Sequence, residues 1–523
     1  MKRISSLFLT ATLWYLPCTS MAQYAWQEEA DAGPLRPLHG LTYREETQVS
    51  YSNGTTPLWL QANKYGLSSL ERWNGYLRGA VERPLQTDSA RRWALGYGVD
   101  MALPIHYTSK AVVQQAYVEA RWLHGVLSVG AKERPMELKN NVLSSGSQTL
   151  GINARPVPQV RLALPEYWTV PCCGRWFHLK GHIAYGLMTD DSWQHEFTVR
   201  QHKYADHVFY HSKAGYLMIG NPDRFVPWSV ELGLEMASTF GGTAYHEDNG
   251  HMVGVKGGRG LKAMWHALLP GGQDAADGQY GNVEGDQVGS WLLRWNYEAD
   301  SWALHAYADH FFEDHSAMLM VDYDGYGKGD AYNEKKDRRF YLYDIKDMML
   351  GVELDLKNGT WLREVVCEYL YTKYQSGPYN HDHTRNIPDH MAGTDNYYNH
   401  YVYTGWQHWG QVIGNPLYRS PLYNTDGTIE VKNNRFMAFH LGVCGQPASR
   451  LRYRALVTYQ EGFGTYEEPY AKKRHNISTL LEATYHLCKG WQLRGAYAMD
   501  FGSILGNHTG AQFTVIRSGL LGR

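Results

Sequence analysis

The chain has 523 residues, and its 50 basic and 52 acidic side chains leave a net charge of −2, which gives no electrostatic case for a nucleic-acid partner. Its mean hydropathy is −0.48. Beyond the first residues no apolar run approaches the ~20 residues that a membrane-spanning helix needs.

The chain opens with Lys2 and Arg3, an apolar stretch from Leu7 to Leu16, and Ser20-Met21-Ala22 as a small-residue cleavage site. This reads as a secretory signal peptide over residues 1–22, cut after Ala22. Cys18 raises a lipoprotein alternative, but Pro17 before it suits that signal poorly. Residues 23–42 then form a periplasmic N-terminal segment, and 43–523 one transmembrane domain.

From Tyr43 onward apolar and polar residues alternate in short segments. The upward and downward strands, running from periplasm to exterior and back, are Tyr43–Tyr51, Gly75–Arg83, Trp93–Leu103, Val112–Leu123, Gly125–Glu133 and Pro158–Trp168. Next come Arg175–Leu187, His207–Gly220, Phe225–Thr239, Gly289–Glu298, Trp302–Phe311, Phe340–Leu356 and Thr360–Thr372. The last five are Arg435–Val443, Arg450–Gln460, Asn476–Leu487, Trp491–Asp500 and Gly510–Ser518. Period two places successive side chains on opposite faces of a strand. Leu350, Val352, Leu354 and Leu356 oppose Gly351, Glu353 and Asp355, and Asn358-Gly359 supplies the hairpin turn. The total of 18 is even and leaves both ends on one side, as in bacterial single-chain barrels.

Connections alternate between short turns and long loops. The long ones are Ser52–Asn74, Arg134–Val157, Met188–Asp206, Phe240–Val288, Phe312–Arg339 and Lys373–Asn434, with shorter polar connections at Glu461–His475 and Phe501–Thr509. All fall on one rim. The expected fold is therefore all-β: an antiparallel up-and-down barrel of the Gram-negative outer membrane, with external loops folded over or into its mouth. Short helices fit within Ser52–Asn74 and Gly254–Leu269. A soluble β-sandwich or propeller would also alternate. Against it stand 39 Tyr and 18 Trp beside only 14 Phe, since amphipathic aromatics suit the two interfacial girdles. They suit sugar stacking equally well.

Several segments resemble one family. They are Pro57-Leu58-Trp59-Leu60-Gln61-Ala62-Asn63-Lys64-Tyr65-Gly66-Leu67, then Ser145-Gly146-Ser147 with Asn153–Arg161, then Asn396–His400 with Thr404-Gly405-Trp406 and Ile413–Leu417. Together they look like the capsule assembly Wzi family. That resemblance implies a barrel occluded by its own loops, acting as a lectin-like anchor for surface or capsular polysaccharide rather than as an enzyme. It carries over no individual binding residue.

The aromatic density of Lys373–Asn434 marks the candidate site. Tyr397, Tyr398, His400, Tyr401, Trp406 and Trp409 lie within thirteen residues, among Asn396, Asn399 and Gln407. Flat rings cover the C–H faces of sugars while amides and imidazoles bond their hydroxyls. The same rings could pack a plug or a girdle. Asp322, Asp324 and Asp330 sit among glycines in an oxygen-rich loop that could hold Ca²⁺, without the spacing of an EF-hand. His381-Asp382-His383 and Asp389-His390 offer transition-metal ligands, although solvated loop histidines read the same way. No other cofactor is indicated. There is no Gly-x-Ser-x-Gly elbow, and His251 follows His246-Glu247 one residue too late for a helical zinc site. Five cysteines remain after processing and show no metal or redox spacing. The expected protein is a monomer whose partners are polysaccharide and outer-membrane lipid. The alternative is a substrate-selective porin, since barrels of 16–18 strands have room for a channel.

Overall fold

The computed structural model describes residues 36–89, 92–269, 285–313, 318, 321–323, 325–337, 340–342, 346–380, 385–386 and 391–521. The signal peptide, the first part of the 23–42 segment and the histidines of 381–383 and 390 lie outside these.

Eighteen strands form one closed antiparallel sheet. They are β1 (Thr42–Ser52), β2 (Trp73–Arg83), β3 (Trp93–Ile105), β4 (Val112–Trp122), β5 (Gly125–Ala131) and β6 (Gln159–Thr169). Then follow β7 (Phe177–Leu187), β8 (Phe209–Ile219), β9 (Trp228–Phe240), β10 (Asp286–Glu298), β11 (Trp302–Glu313) and β12 (Met348–Leu356). The last are β13 (Glu364–Tyr371), β14 (Phe436–Ala448), β15 (Leu451–Gly464), β16 (Pro469–His486), β17 (Trp491–Gly502) and β18 (His508–Leu520). Each strand pairs with its neighbours in the chain. The first and last close the ring in a continuous register, with Thr42 opposite Leu520 and Ser52 opposite Gly510. Closure leaves no sheet edge, the condition for a strand structure to stand in hydrocarbon.

The alternation has a physical counterpart on every side. In β1, Glu46, Gln48 and Ser50 are buried, whereas Thr47, Val49 and Tyr51 face out. Val352 is 47 % exposed on the outer wall and Glu353 beside it only 5 %. Leu77, Leu103, Leu162, Leu481 and Phe439 continue the exposed apolar band. On the short-turn rim tryptophans gather at strand ends: Trp93 stacks on Trp122 at 5.8 Å, Trp176 meets Trp228 at 5.8 Å, and Tyr297 meets Trp302 at 5.5 Å. An apolar outer band with an aromatic girdle, polar lumen and no free edge is the signature of a transmembrane barrel. The chain is an outer-membrane β-barrel of a Gram-negative bacterium.

Three elements differ from the sequence reading. Phe340–Leu342 is not the start of β12 but pairs with Val321–Tyr323 in a small external sheet. Most of Glu461–His475 is strand: β15 and β16 run on past the membrane band, with Gly464 pairing Pro469. Alternation fades there because both faces are wet, so the ladder leaves no pattern to read. β14 runs on to Ala448, past the expected end at Val443, and takes in Cys444. The helices described over their full length include α1 (Leu58–Gln61), α2 (Asp191–Thr198) and α3 (Leu261–Leu268). α3 lies against the outer face of β8, where Lys213 Nζ donates to the Ala267 carbonyl at 3.1 Å and caps the helix end. Its Leu261 and Trp265 remain exposed.

Candidate functional site

The polar lumen faces of the strands meet loops over most of the circumference. Three loop segments, 53–72, 132–158 and 395–434, enter the lumen and bond to the wall strand by strand. On β17 and β15, Asp500 accepts the Leu58 N–H at 2.9 Å and Thr458 accepts the Trp59 indole at 3.1 Å. On β18 Gln512 accepts Lys64, and on β4 Gln114 donates to the Tyr65 carbonyl at 2.9 Å. Lys139 forms an ion pair of 2.6 Å with Asp309 of β11, both side chains sealed from water. Ser144 donates to Glu368 of β13 at 2.5 Å, Asn140 to Glu353 of β12 at 2.6 Å, and Thr149 meets Ser290 of β10 at 2.8 Å. His440 of β14 binds the Leu143 carbonyl at 2.7 Å.

Small polar residues make this possible. An irregular buried backbone must find a partner for every N–H and C=O. Asn140 Oδ1 accepts the N–H of Val142 and Leu143, both at 2.9 Å, and Asn415 Oδ1 accepts that of Leu417 at 3.0 Å. The three loops also join one another: Asn63 Nδ2 donates to the Ser145 carbonyl, Asn153 Nδ2 to that of Val412 and Asn415 Nδ2 to that of Gly146, at 3.0, 2.9 and 3.0 Å. Gly414 must lack a side chain, since a Cβ there would collide with the Tyr398 hydroxyl and the Gln148 carbonyl. One apolar cluster runs through the plug from Leu58 and Trp59 to Trp406, Tyr418 and the wall residues Phe311 and Leu480.

The six rings and imidazoles expected to meet a glycan divide between this core and the surface. Trp406 is 0 % exposed, donates its indole N–H to the Thr149 carbonyl at 2.9 Å and stacks on Tyr210 at 5.9 Å. Tyr397 and Tyr398 are also sealed, packed edge-on to Phe311 at 4.7 and 5.3 Å. These three offer no face to a sugar. Their density in the chain reflects plug packing, the other reading that aromatics allowed. His400 is half-buried, and its Nδ1 accepts the N–H of Val402 and of Tyr403, both at 3.0 Å. Burial and the nearby Lys203 ammonium push its pKa down to about 4. Tyr401 is 83 % exposed and lies 5.8 Å from the His246 ring. Trp409 is half-buried under the Arg155 guanidinium at 4.2 Å.

Sequence reasoning missed the surroundings of Tyr401. A three-stranded sheet of Tyr204–Asp206, Thr243–Asp248 and His251–Lys256 stands beside it. On it Tyr204 stacks on Tyr245 at 4.6 Å, and His195 of α2 meets Tyr204 edge-on at 5.0 Å. Two aromatic pairs from separate loops leave no local cluster in the chain. Only the alternation of Thr243, Tyr245 and Glu247 with Ala244 and His246 could have signalled a strand there.

Of the carboxylates considered for Ca²⁺, Asp324 and the Asp322 side chain lie outside the described residues, while Asp330 pairs with Arg385 at 3.1 Å. Among the described residues Glu353, Asp355 and Glu364 bring carboxylate oxygens within 4.8 Å of one another. These are committed elsewhere: Arg294 and Asn140 take Glu353, Asn140 takes Glu364, and His305 stands 3.5 Å from Asp355. Along β5–β8 the plug stands off the wall and leaves a cavity of about 270 Å³.

No family model matches the chain, and no curated protein does. Among solved structures it is similar to OprD of Pseudomonas aeruginosa, at 10 % identity and a TM-score of 0.43 over 92 % of this chain and 94 % of that one. OccAB4 of Acinetobacter baumannii gives 8 % identity and a TM-score of 0.42, covering 92 % and 100 %. A loop-deletion mutant of OmpT, an outer membrane protein of Vibrio cholerae, gives 8 % and 0.37, covering 92 % and 98 %. The likeness is one of barrel architecture, and nothing about activity rests on it.

Proposed function

We propose that this protein is a non-enzymatic outer-membrane barrel that holds a surface polysaccharide on its external loops. The observation that carries the reading is the plug. Loops bonded to β4, β9–β15, β17 and β18 fill much of the lumen and present a surface to the exterior. That surface bears accessible aromatics beside polar groups: Tyr401, His246 and Tyr245 on one patch, and the half-buried Trp409, backed by the buried Arg155, on another. The resemblance of the plug-forming segments to the capsule assembly Wzi family agrees with this. A glycan array probed with detergent-purified protein tests it. We expect saturable binding that weakens at least tenfold in Tyr401→Ala/Trp409→Ala and persists in Trp406→Phe, both with heat-resistant barrel migration on gels. An intact barrel that binds no glycan would reject the reading.

A substrate-selective channel is the second reading. It is favoured by the residual cavity along β5–β8, which is lined by charged side chains of both signs. Under that reading the purified wild-type protein shows steady conductance in planar bilayers.

A further inference from the structure

The residual cavity extends from the plug residues Gly151 and Ile413 to the short-turn rim, where Gln86 and Glu166 line it. Arg155, Val157 and Gln159 line its other end, so it follows the wall from the external end of β6 to the periplasmic rim. Its charges are unevenly matched. Glu119 takes Lys132 at 2.6 Å, Glu137 takes Lys180 at 2.6 Å, and Glu133 takes Arg78 at 3.0 Å. Glu235 accepts the Tyr216 hydroxyl at 2.7 Å and the Leu150 N–H at 3.3 Å. Arg155 is held by the Ser109 and Thr108 hydroxyls at 2.9 and 2.7 Å, and two further guanidiniums have no carboxylate of their own. Arg134 donates to Ser128 at 2.7 Å and reaches Glu119, already engaged by Lys132, only at 3.8 Å. Arg161 makes no hydrogen bond or ion pair with a described residue, and its Nε is sealed from solvent.

The two cations share one patch of wall. Ser128, which holds Arg134, is the cross-strand partner of Arg161 in the β5–β6 register. Val160 and Leu162 on either side of Arg161 face lipid, so its guanidinium is confined to the lumen side. Two like charges in a partly dehydrated cavity repel, and an uncompensated buried charge is costly. A bound anion removes both penalties. The planar fork of arginine fits a carboxylate through two parallel hydrogen bonds. Around it Ser212 and His182, joined at 3.2 Å, and the Glu235 carboxylate offer polar atoms to hydroxyls. The volume of about 270 Å³ has room for a sugar ring.

We propose that this cavity between plug and wall is a binding site for a monosaccharide-sized carboxylate, a uronate, held by Arg134 and Arg161. It shares Arg155 with the Trp409 patch, but uronate binding by Arg134 and Arg161 does not depend on the external surface binding a glycan. Calorimetry on detergent-purified protein with glucuronate, galacturonate, glucose and inorganic phosphate as probes tests it. We expect a uronate to bind with an affinity that falls as salt rises, and glucose not to bind. Arg161→Gln weakens uronate binding at least tenfold, and Arg161→Lys, which keeps the charge and loses the fork, weakens it less. Heat-resistant gel migration establishes that each variant is folded. Equal binding of glucose and uronate, binding of phosphate alone, an Arg161→Gln barrel that binds as wild type, or no binding of any probe overturns the assignment.

Discussion

Trp406 and Tyr401 stand five residues apart in one aromatic run, and the fold sends them to opposite environments. The run itself was legible in the sequence. Its partition was not, because burial depends on Thr149 and Tyr210, which lie far away in the chain. Trp406→Ala should cost about 3–5 kcal/mol in plug stability, the usual range for truncating a buried large aromatic. Limited proteolysis should then cut the 395–434 segment in the intact barrel, whereas Tyr401→Ala should leave the digest unchanged. His400 carries a pH dependence. Its Nδ1 accepts two backbone N–H groups, so the fold requires the neutral ring, and its pKa is down at about 4 from 6.5. The unfolded loop takes up the proton first. Stability from this group is therefore complete above about pH 6.5 and lost as the pH falls towards 4, by roughly 3 kcal/mol at most. Protection factors at Val402 and Tyr403, which divide out the slower intrinsic amide exchange at low pH, should fall across that window. His400→Asn, which keeps an acceptor that does not titrate there, should flatten the response.

Strands were the most legible elements, because lipid outside and polar plug inside force a strict period of two. Val352→Arg places a cation on the lipid face, which costs about 2–4 kcal/mol near the midplane, and should reduce folded barrel in outer-membrane fractions. Glu353 qualifies the simple rule that lumen positions tolerate change. It holds Arg294 at 2.9 Å and Asn140 at 2.6 Å, so Glu353→Gln should lower the unfolding temperature even though the barrel assembles. The loop elements were legible only in outline. The segments 57–67, 145–161 and 396–417 stood out in sequence, and they are the segments that interlock as the plug. The cavity between plug and wall left no such mark, since Arg134, Arg161 and His182 come from two strands and a loop and alternate like any lumen residues.

At the scale of the whole molecule, the closed ring fixes which rim is which. Tags inserted at Gly377 should be reached by antibody on intact cells, and tags at Asn358 or Gly490 should not; the reverse pattern would invert the barrel. The central claim is that the lumen is occupied by the protein's own loops. Planar-bilayer conductance tests it most directly, comparing wild type with a barrel in which residues 395–434 are replaced by a short glycine-serine linker. The plugged structure predicts a silent wild type and large, steady current steps from the deletion. Wild-type protein that conducts with the same steady steps would contradict it.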